Sequence, residues 1–519
     1  MPKQKALLKH KPNYWALGLI LLGACIYIIL HFHLSSLTTL PVFADEAIYI
    51  RWAQLIIDDW QRYLFFPMND GKTPLFIWLL VPFQFVFRDQ LFAARFLSVL
   101  VGLAQAWIMA LIIKEFGLPR KHQLIAVLFS LLLPYWYFHH HLALMDGLMT
   151  LFISLTILFV FKLKNNFLQE GKLKKNAWYS TLVGVCLGLA IWTKIPALLL
   201  IPSLYILLLI GQESLSSKAK QASWLSLSVL LGLGIFLSLK LHPAFSQLFS
   251  RGNDFLFPWQ EVILQGKWRE TLPSWPNYLS YFVKYLTWPI MLLSVIGLFF
   301  KKNRTFVLLH LAWLSYALPI FLLGRVVYPR YLFSVSIFFT LLAVLVMFRL
   351  EQIKSWFRYI LTILFVFTAI NSLSLIYTLA GRFESGALVP IDRVQYLTEW
   401  SAGFGVKETV ELVQELAQEQ RVLVLSEGYF GTLPDGLLMY LHRQPVDNLF
   451  IQPIGWPINA FKPEVAKQAK NYNQVLLVAN SHRIQLDLAD SLLIADYCRP
   501  FSAPCHQVWD VTHLVTGAN

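Results

Sequence analysis

Residues 14–34 read YWALGLILLGACIYIILHFHL, about 21 positions without an Asp, Glu, Lys or Arg. At about 1.5 Å per helical residue, such a run crosses a hydrocarbon core of about 30 Å. It is too long for the apolar core of a secretory signal and no cleavage site follows, so it is expected to remain as a membrane anchor. Lys3, Lys5, Lys9 and Lys11 precede it, and the cytoplasmic bias of basic residues puts the N-terminus inside.

Outward from this run, further apolar stretches occur at 91–113, 123–137, 147–161, 178–193, 195–210, 224–239, 282–300, 306–323, 331–348 and 359–379, which makes about eleven expected spans. Alternated from a cytoplasmic start, they put loops 114–121, 162–175, 212–221, 301–304 and 349–358 inside. With the N-terminus, these loops hold about twenty of the 43 Lys and Arg residues, as the positive-inside rule requires. The apolar run 74–87, about 14 residues, is too short to span and is expected as an interfacial or re-entrant helix on the outer face. Counting it as a crossing would send the basic 114–121 loop to the wrong side. An odd number of spans leaves the tail outside.

Composition agrees. Of 519 residues 57% are hydrophobic and 14% charged, with mean hydropathy +0.56, which excludes a water-soluble fold, disorder and a disulfide scaffold. The formal charge of +14 points to lipid headgroups and membrane orientation, and no nucleic-acid partner is expected. The expected fold class is a polytopic α-helical membrane protein: a transmembrane domain, 1–380, with a first outer loop at 35–88, and an extracytoplasmic α/β domain, 381–519. In the tail, 407–420 and 435–441 read as helices and 421–425 and 474–479 as strands. No glycine-rich nucleotide loop follows either strand. Cys25 and Cys186 lie in apolar runs, whereas Cys498 and Cys505 share the tail, where an oxidising compartment permits a disulfide.

The first loop carries Phe43-Ala44-Asp45-Glu46 and then an amphipathic stretch, with Ile48, Trp52, Leu55 and Ile56 on one face and Arg51, Gln54 and Asp58 on the other, expected to lie along the membrane surface. Two readings of Asp45 and Glu46 stand: helix cap and dipole partner, or a partly desolvated carboxylate able to act as a general base. Asp146 ends a second outward turn that contains His139, His140 and His141. It is either a helix cap or a second functional carboxylate. Successive helical histidines point about 100° apart, so aromatic packing is favoured over a metal site. Lys72, Lys194, Arg325 and Arg330 stand at outward span ends, where interfacial snorkelling explains any one of them and a lipid-linked phosphate would explain several together.

Taken in order, Phe43-Ala44-Asp45-Glu46, Gly71-Lys72-Thr73-Pro74, Ala93-Ala94-Arg95-Phe96, Ala143-Leu144-Met145-Asp146, Leu189-Ala190-Ile191-Trp192-Thr193-Lys194 and Pro329-Arg330-Tyr331 resemble the bacterial GT-C glycosyltransferases of the family 39 type, the protein O-mannosyltransferase and aminoarabinose transferase group. The resemblance covers roughly residues 10–350. It implies transfer of a sugar from a polyprenyl monophosphate carrier to a lipid, glycan or protein acceptor on the outer face of the cell membrane, with inversion at the anomeric carbon. Asp45 matches the family's catalytic aspartate, Asp146 its second-loop aspartate, and Lys72 the lysine that meets the carrier phosphate. Gly71 replaces an acidic residue common in relatives, and Ile48 stands where some have an arginine, a role for which Arg51 is available one turn later.

The expected catalytic set is therefore Asp45, Asp146 and Glu46, and the donor-phosphate set Lys72, Arg51, Lys194, Arg330 and Arg325. A phosphate leaving group needs only cations, so a divalent metal is optional and no cofactor is assigned. The alternative is a lipid or sugar transporter, which usually carries ionisable groups near mid-membrane; here nearly all charges fall at span ends.

Overall fold

The computed structural model describes residues 25, 27–34, 36–168, 173–300 and 304–517. The four N-terminal lysines, most of the 14–34 run and parts of the 162–175 and 301–304 loops lie outside the described residues.

Every apolar run within the described residues is helical. Six helices are long and apolar enough to cross a membrane: Gln90–Glu115, Met145–Leu168, Leu215–Leu241, Arg304–Leu323, Pro329–Ile353 and Phe357–Leu379. A seventh crossing results if the pair Trp268–Tyr285 and Trp288–Phe299, bent by 106°, counts as one span. Of the other expected crossings within the described residues, 178–193 lies in the continuous helix Leu173–Thr193, 21 residues and not among the six, and the rest are shorter or interrupted. Run 123–137 is divided into Arg120–Leu132 and Pro134–His141, because proline lacks the N–H that would continue the ladder and disfavours helix in the residue before it. Pro196 similarly makes Ile195–Leu199 a 3-10 turn ahead of the helix Leu200–Leu208. The run beginning at Pro74 forms the helix Leu75–Val86, 12 residues or about 18 Å, too short to span.

The tail folds around a five-stranded sheet, β1 (Val422–Glu427), β2 (Leu449–Gly455), β3 (Gln474–Asn480), β4 (Leu493–Arg499) and β5 (Ala503–Asp510), in spatial order β2-β1-β3-β5-β4. β1 pairs in parallel with β2 and β3, and β5 runs antiparallel to β3 and β4. Side chains alternate across a strand, and here the two faces have different neighbours. Val422, Val424, Leu476 and Val478 join the same apolar cluster as the membrane helices, while Leu423, Leu425, Val475 and Leu477 form a second cluster on the far face. The tail is thus packed onto the helical body. A disulfide joins Cys498 to Cys505 across the β4–β5 pair.

The helix Ala44–Asp58 corrects one expectation. Instead of lying on the membrane surface it is enclosed, with ten of its fifteen residues buried. Gln54, on the face read as polar, is buried and donates through Nε2 to Met439 O at 2.8 Å. The tail helix Asp435–Leu441 covers that face, assisted by His442 on Asp58 at 2.8 Å and Arg443 on Phe87 O at 2.9 Å.

Candidate active site

Asp45 and Glu46 enter the same helix one residue apart, about 100° around its axis, and so face different surroundings. Glu46 is fully buried. It accepts from Phe43 N at 3.0 Å and from Ala143 N at 2.7 Å, and it meets Arg95 through two contacts at 2.8 and 2.6 Å. Arg95 also donates to the carbonyls of Leu37, Leu40 and Pro41. The pair ties the first loop to the helix Gln90–Glu115, so Glu46 takes the helix-start role and does not line the cavity on which Asp45 opens.

That cavity, about 370 Å³, is lined by the charged residues Asp45, Asp70, Asp146, Lys72, Lys194, Arg251 and Arg330 together with the apolar residues Leu198, Leu199, Leu248, Phe249, Pro319, Ile320 and Leu323. Two ion pairs organise the charged residues: Asp45 Oδ2 with Arg330 Nη1 at 2.9 Å, and Asp146 Oδ1 with Lys194 Nζ at 2.7 Å. The Asp45 side chain is 24% exposed and the Asp146 side chain 4%, so Asp45 is the more exposed of these two carboxylates. Burial pushes the Asp45 carboxyl up, but Arg330, Lys72 and Lys194 together outweigh it and hold the group below the usual carboxylate range. Asp45 is therefore ionised at neutral pH.

Lys72 leaves a tight turn in which Gly71 takes φ +72°, a conformation glycine adopts without strain. Among the described residues it is the one cavity cation without a carboxylate partner, its Nζ lying 5.9 Å from the Phe255 ring centroid. Arg251, beside it in the lining, pairs with Asp70 at 2.8 Å and Asp254 at 3.1 Å. Lys194 Nζ lies over the Tyr331 ring at 4.8 Å.

The expected residues thus separate. Asp45, Asp146, Lys72, Lys194 and Arg330 share one cavity. Glu46, Arg51 and Arg325 do not line it. Arg51 is half-buried on the tail side of its helix, reaching Gln54 Oε1 at 3.5 Å. Arg325 is exposed, with its guanidinium 4.9 Å above the Phe257 ring and its N–H bonded to Phe255 O. Sequence reading missed Arg251, Tyr49 and Tyr331. Tyr49 was recoverable, since it stands one helical turn after Asp45 and lines the same cavity; Arg251 had no signal beyond its place in an outward loop. His139, His140 and His141 are buried among aromatic rings, with His141 Nδ1 3.0 Å from His31 Nδ1. Among the described residues, the one convergent group of metal-ligating types is Asp496, Cys498 and Cys505, whose two sulfurs are bonded to each other.

Residues 71–239 match the family model described as dolichyl-phosphate-mannose-protein mannosyltransferase. The fold is similar to ArnT from Cupriavidus metallidurans bound to undecaprenyl phosphate, with TM-score 0.60 and 15% identity over 98% of this chain and 100% of that one. It is also similar to the apo oligosaccharyltransferase of Archaeoglobus fulgidus, with TM-score 0.54 and 13% identity over 90% of this chain and 70% of that one. A complex of the Archaeoglobus enzyme with an inhibitory peptide and a dolichol-phosphate superposes with TM-score 0.52 and 14% identity, over 90% of this chain and 69% of that one. No curated protein sequence matches the chain. The protein has the GT-C fold of multi-pass membrane glycosyltransferases and resembles the O-mannosyltransferase and ArnT group.

Proposed function

We propose that this GT-C protein moves a sugar from a polyprenyl-phosphate carrier to an acceptor hydroxyl on the extracytoplasmic face, with inversion and with Asp45 as general base. The observation that carries the reading is the mixed lining of the cavity. An ionised carboxylate and a cation without a carboxylate partner line one space together with many apolar side chains. A lipid-linked phosphate needs both kinds of lining, since its charge requires compensation and its chain requires hydrocarbon.

In this mechanism the acceptor oxygen attacks the anomeric carbon while the bond from that carbon to the phosphate oxygen breaks. The acceptor proton passes to Asp45, which Arg330 holds oriented and ionised. Polyprenyl phosphate departs with its negative charge balanced by Lys72, with Arg251 beside it. Lys194 holds Asp146 in the lining, and this pair orients the acceptor. The undecaprenyl phosphate of the ArnT structure and the dolichol-phosphate of the Archaeoglobus complex support a carrier of this class. A transporter reading lacks a corresponding observation, because the cavity's ionic groups stand at helix ends.

The test incubates purified full-length protein with a panel of polyprenyl-phosphate sugars and follows consumption of each. Consumption of one donor with release of polyprenyl phosphate is expected. If none is consumed while one crosses a proteoliposome membrane, the transporter replaces the transferase.

A further inference from the structure

The parallel part of the tail sheet runs β2, β1, β3, so the chain leaves β1 toward one side and returns to pair on its other side. This is a topological switch point, and open α/β sheets bind ligands in the crevice outside the carboxyl ends of the strands there. Those ends carry Glu427-Gly428-Tyr429-Phe430-Gly431 after β1 and Ser481-His482-Arg483 after β3.

The crevice is built around a buried carboxylate. Glu427 accepts from Asn480 N at 2.6 Å, from Asn480 Nδ2 at 2.9 Å and from Arg483 Nη1 at 2.7 Å. The Arg483 guanidinium sits 4.7 Å from the Trp400 ring centroid and 4.6 Å from that of Trp456. Around this fixed polar centre, three large rings face outward: Tyr429, Phe430 and Trp456 are 63%, 55% and 62% exposed. Gly455 permits the grouping, because a Cβ there would stand 2.9 Å from the Tyr429 hydroxyl. The β1 loop also reaches the catalytic helix. A Cβ at Gly431 would lie 3.6 Å from that of Ala44, the neighbour of Asp45, and Ala44 N bonds Ser401 O beside Trp400.

We propose that Trp456, Tyr429 and Phe430 form a stacking platform for a carbohydrate acceptor, an inference that rests on the transferase reading of the cavity. Exposed aromatic faces accept the weakly hydrated C–H face of a pyranose, while its hydroxyls find hydrogen-bonding groups at the rim, the Arg483 guanidinium and the His482 imidazole. The platform's continuity with Ala44 fits an acceptor presented to the base rather than a site of separate function.

The experiment places the full-length chain in phosphatidylcholine nanodiscs and probes it with an array of neutral and anionic oligosaccharides. The native protein is expected to retain at least one oligosaccharide. Trp456→Ala should weaken that retention at least about tenfold, as loss of a central aromatic contact does, while Trp456→Phe keeps most of it. Retention of nothing by the native protein, or equal retention by Trp456→Ala, overturns the platform. Brominated phosphatidylcholine supplies a second measurement: quenching of the Trp456 share of the fluorescence, read against Trp456→Phe, would make the rings a membrane anchor and overturn it as well. Donor turnover on the same samples separates the two readings. Trp456-dependent retention without any turnover supports the platform and removes the transferase, whereas turnover with an acceptor KM unmoved by Trp456→Ala removes the platform alone.

Discussion

Asp45 and Glu46 are adjacent in the chain and face different surroundings. Asp45→Asn keeps size and a hydrogen-bond acceptor but cannot take a proton, so turnover should fall about 10²- to 10⁴-fold with the protein monodisperse. Single-turnover rates and size exclusion check this. Glu46→Gln should fail differently. It breaks an ion pair in which neither side chain is exposed, and an uncompensated buried Arg95 costs about 3–5 kcal/mol, so yield and melting temperature should drop. A well-folded, inactive Glu46→Gln would reverse the assignments. Lys72→Met should raise the donor KM with little loss of expression; unaltered donor dependence would reduce Lys72 to an interfacial anchor. The pH profile follows from Asp45. Its folded pKa is depressed, so the ionised base and its pairing with Arg330 persist above the unfolded value of about 3.9 and are lost as pH falls through the lower folded value. The acid limb of kcat/KM should therefore lie below about pH 4, and a limb near pH 6–7 would point to another group.

Among the elements, the helix Ala44–Asp58 is held between the helices of the membrane region and the tail helix Asp435–Leu441. Its amphipathic pattern was legible, but which surface would cover the polar face was not, because Met439 lies 385 residues beyond Gln54. Gln54→Leu removes the buried bond to Met439 O and should lower stability by about 1–3 kcal/mol, read as a fall in melting temperature at unchanged donor KM. An unaffected melting temperature would mean that the tail does not brace this helix. The tail strands were only half legible for a similar reason. β1 and β3 are buried along nearly their whole length and read as continuous apolar runs, whereas β2 and β4 alternate between half-buried and exposed positions and carry polar residues that the apolar-run criterion passes over.

For the whole molecule, the proposed topology puts the tail outside the cytoplasm, so a reporter active only in the cytoplasm should be silent when fused after Asn519. Thiol labelling gives an independent reading. With Cys498 bonded to Cys505 and Cys25 and Cys186 free, protein denatured without reductant should label at two positions, and at all four after reduction. Labelling at four without reductant would remove the disulfide. Membrane class and the positions of the apolar helices could be read from sequence alone, because the hydrophobic effect acts on composition and run length, both local quantities. The grouping of Lys72, Lys194 and Arg330 was one of two readings of their outward span ends, and their proximity to Asp45 and Asp146 was expected through family resemblance. Their grouping in one cavity, the exclusion of Glu46, Arg51 and Arg325, and the recruitment of Arg251 were decided by the tertiary structure alone. A charge–charge contact depends on separation through space, and residues as far apart in the chain as Asp45 and Arg330 come within 2.9 Å only when the helices carrying them have packed.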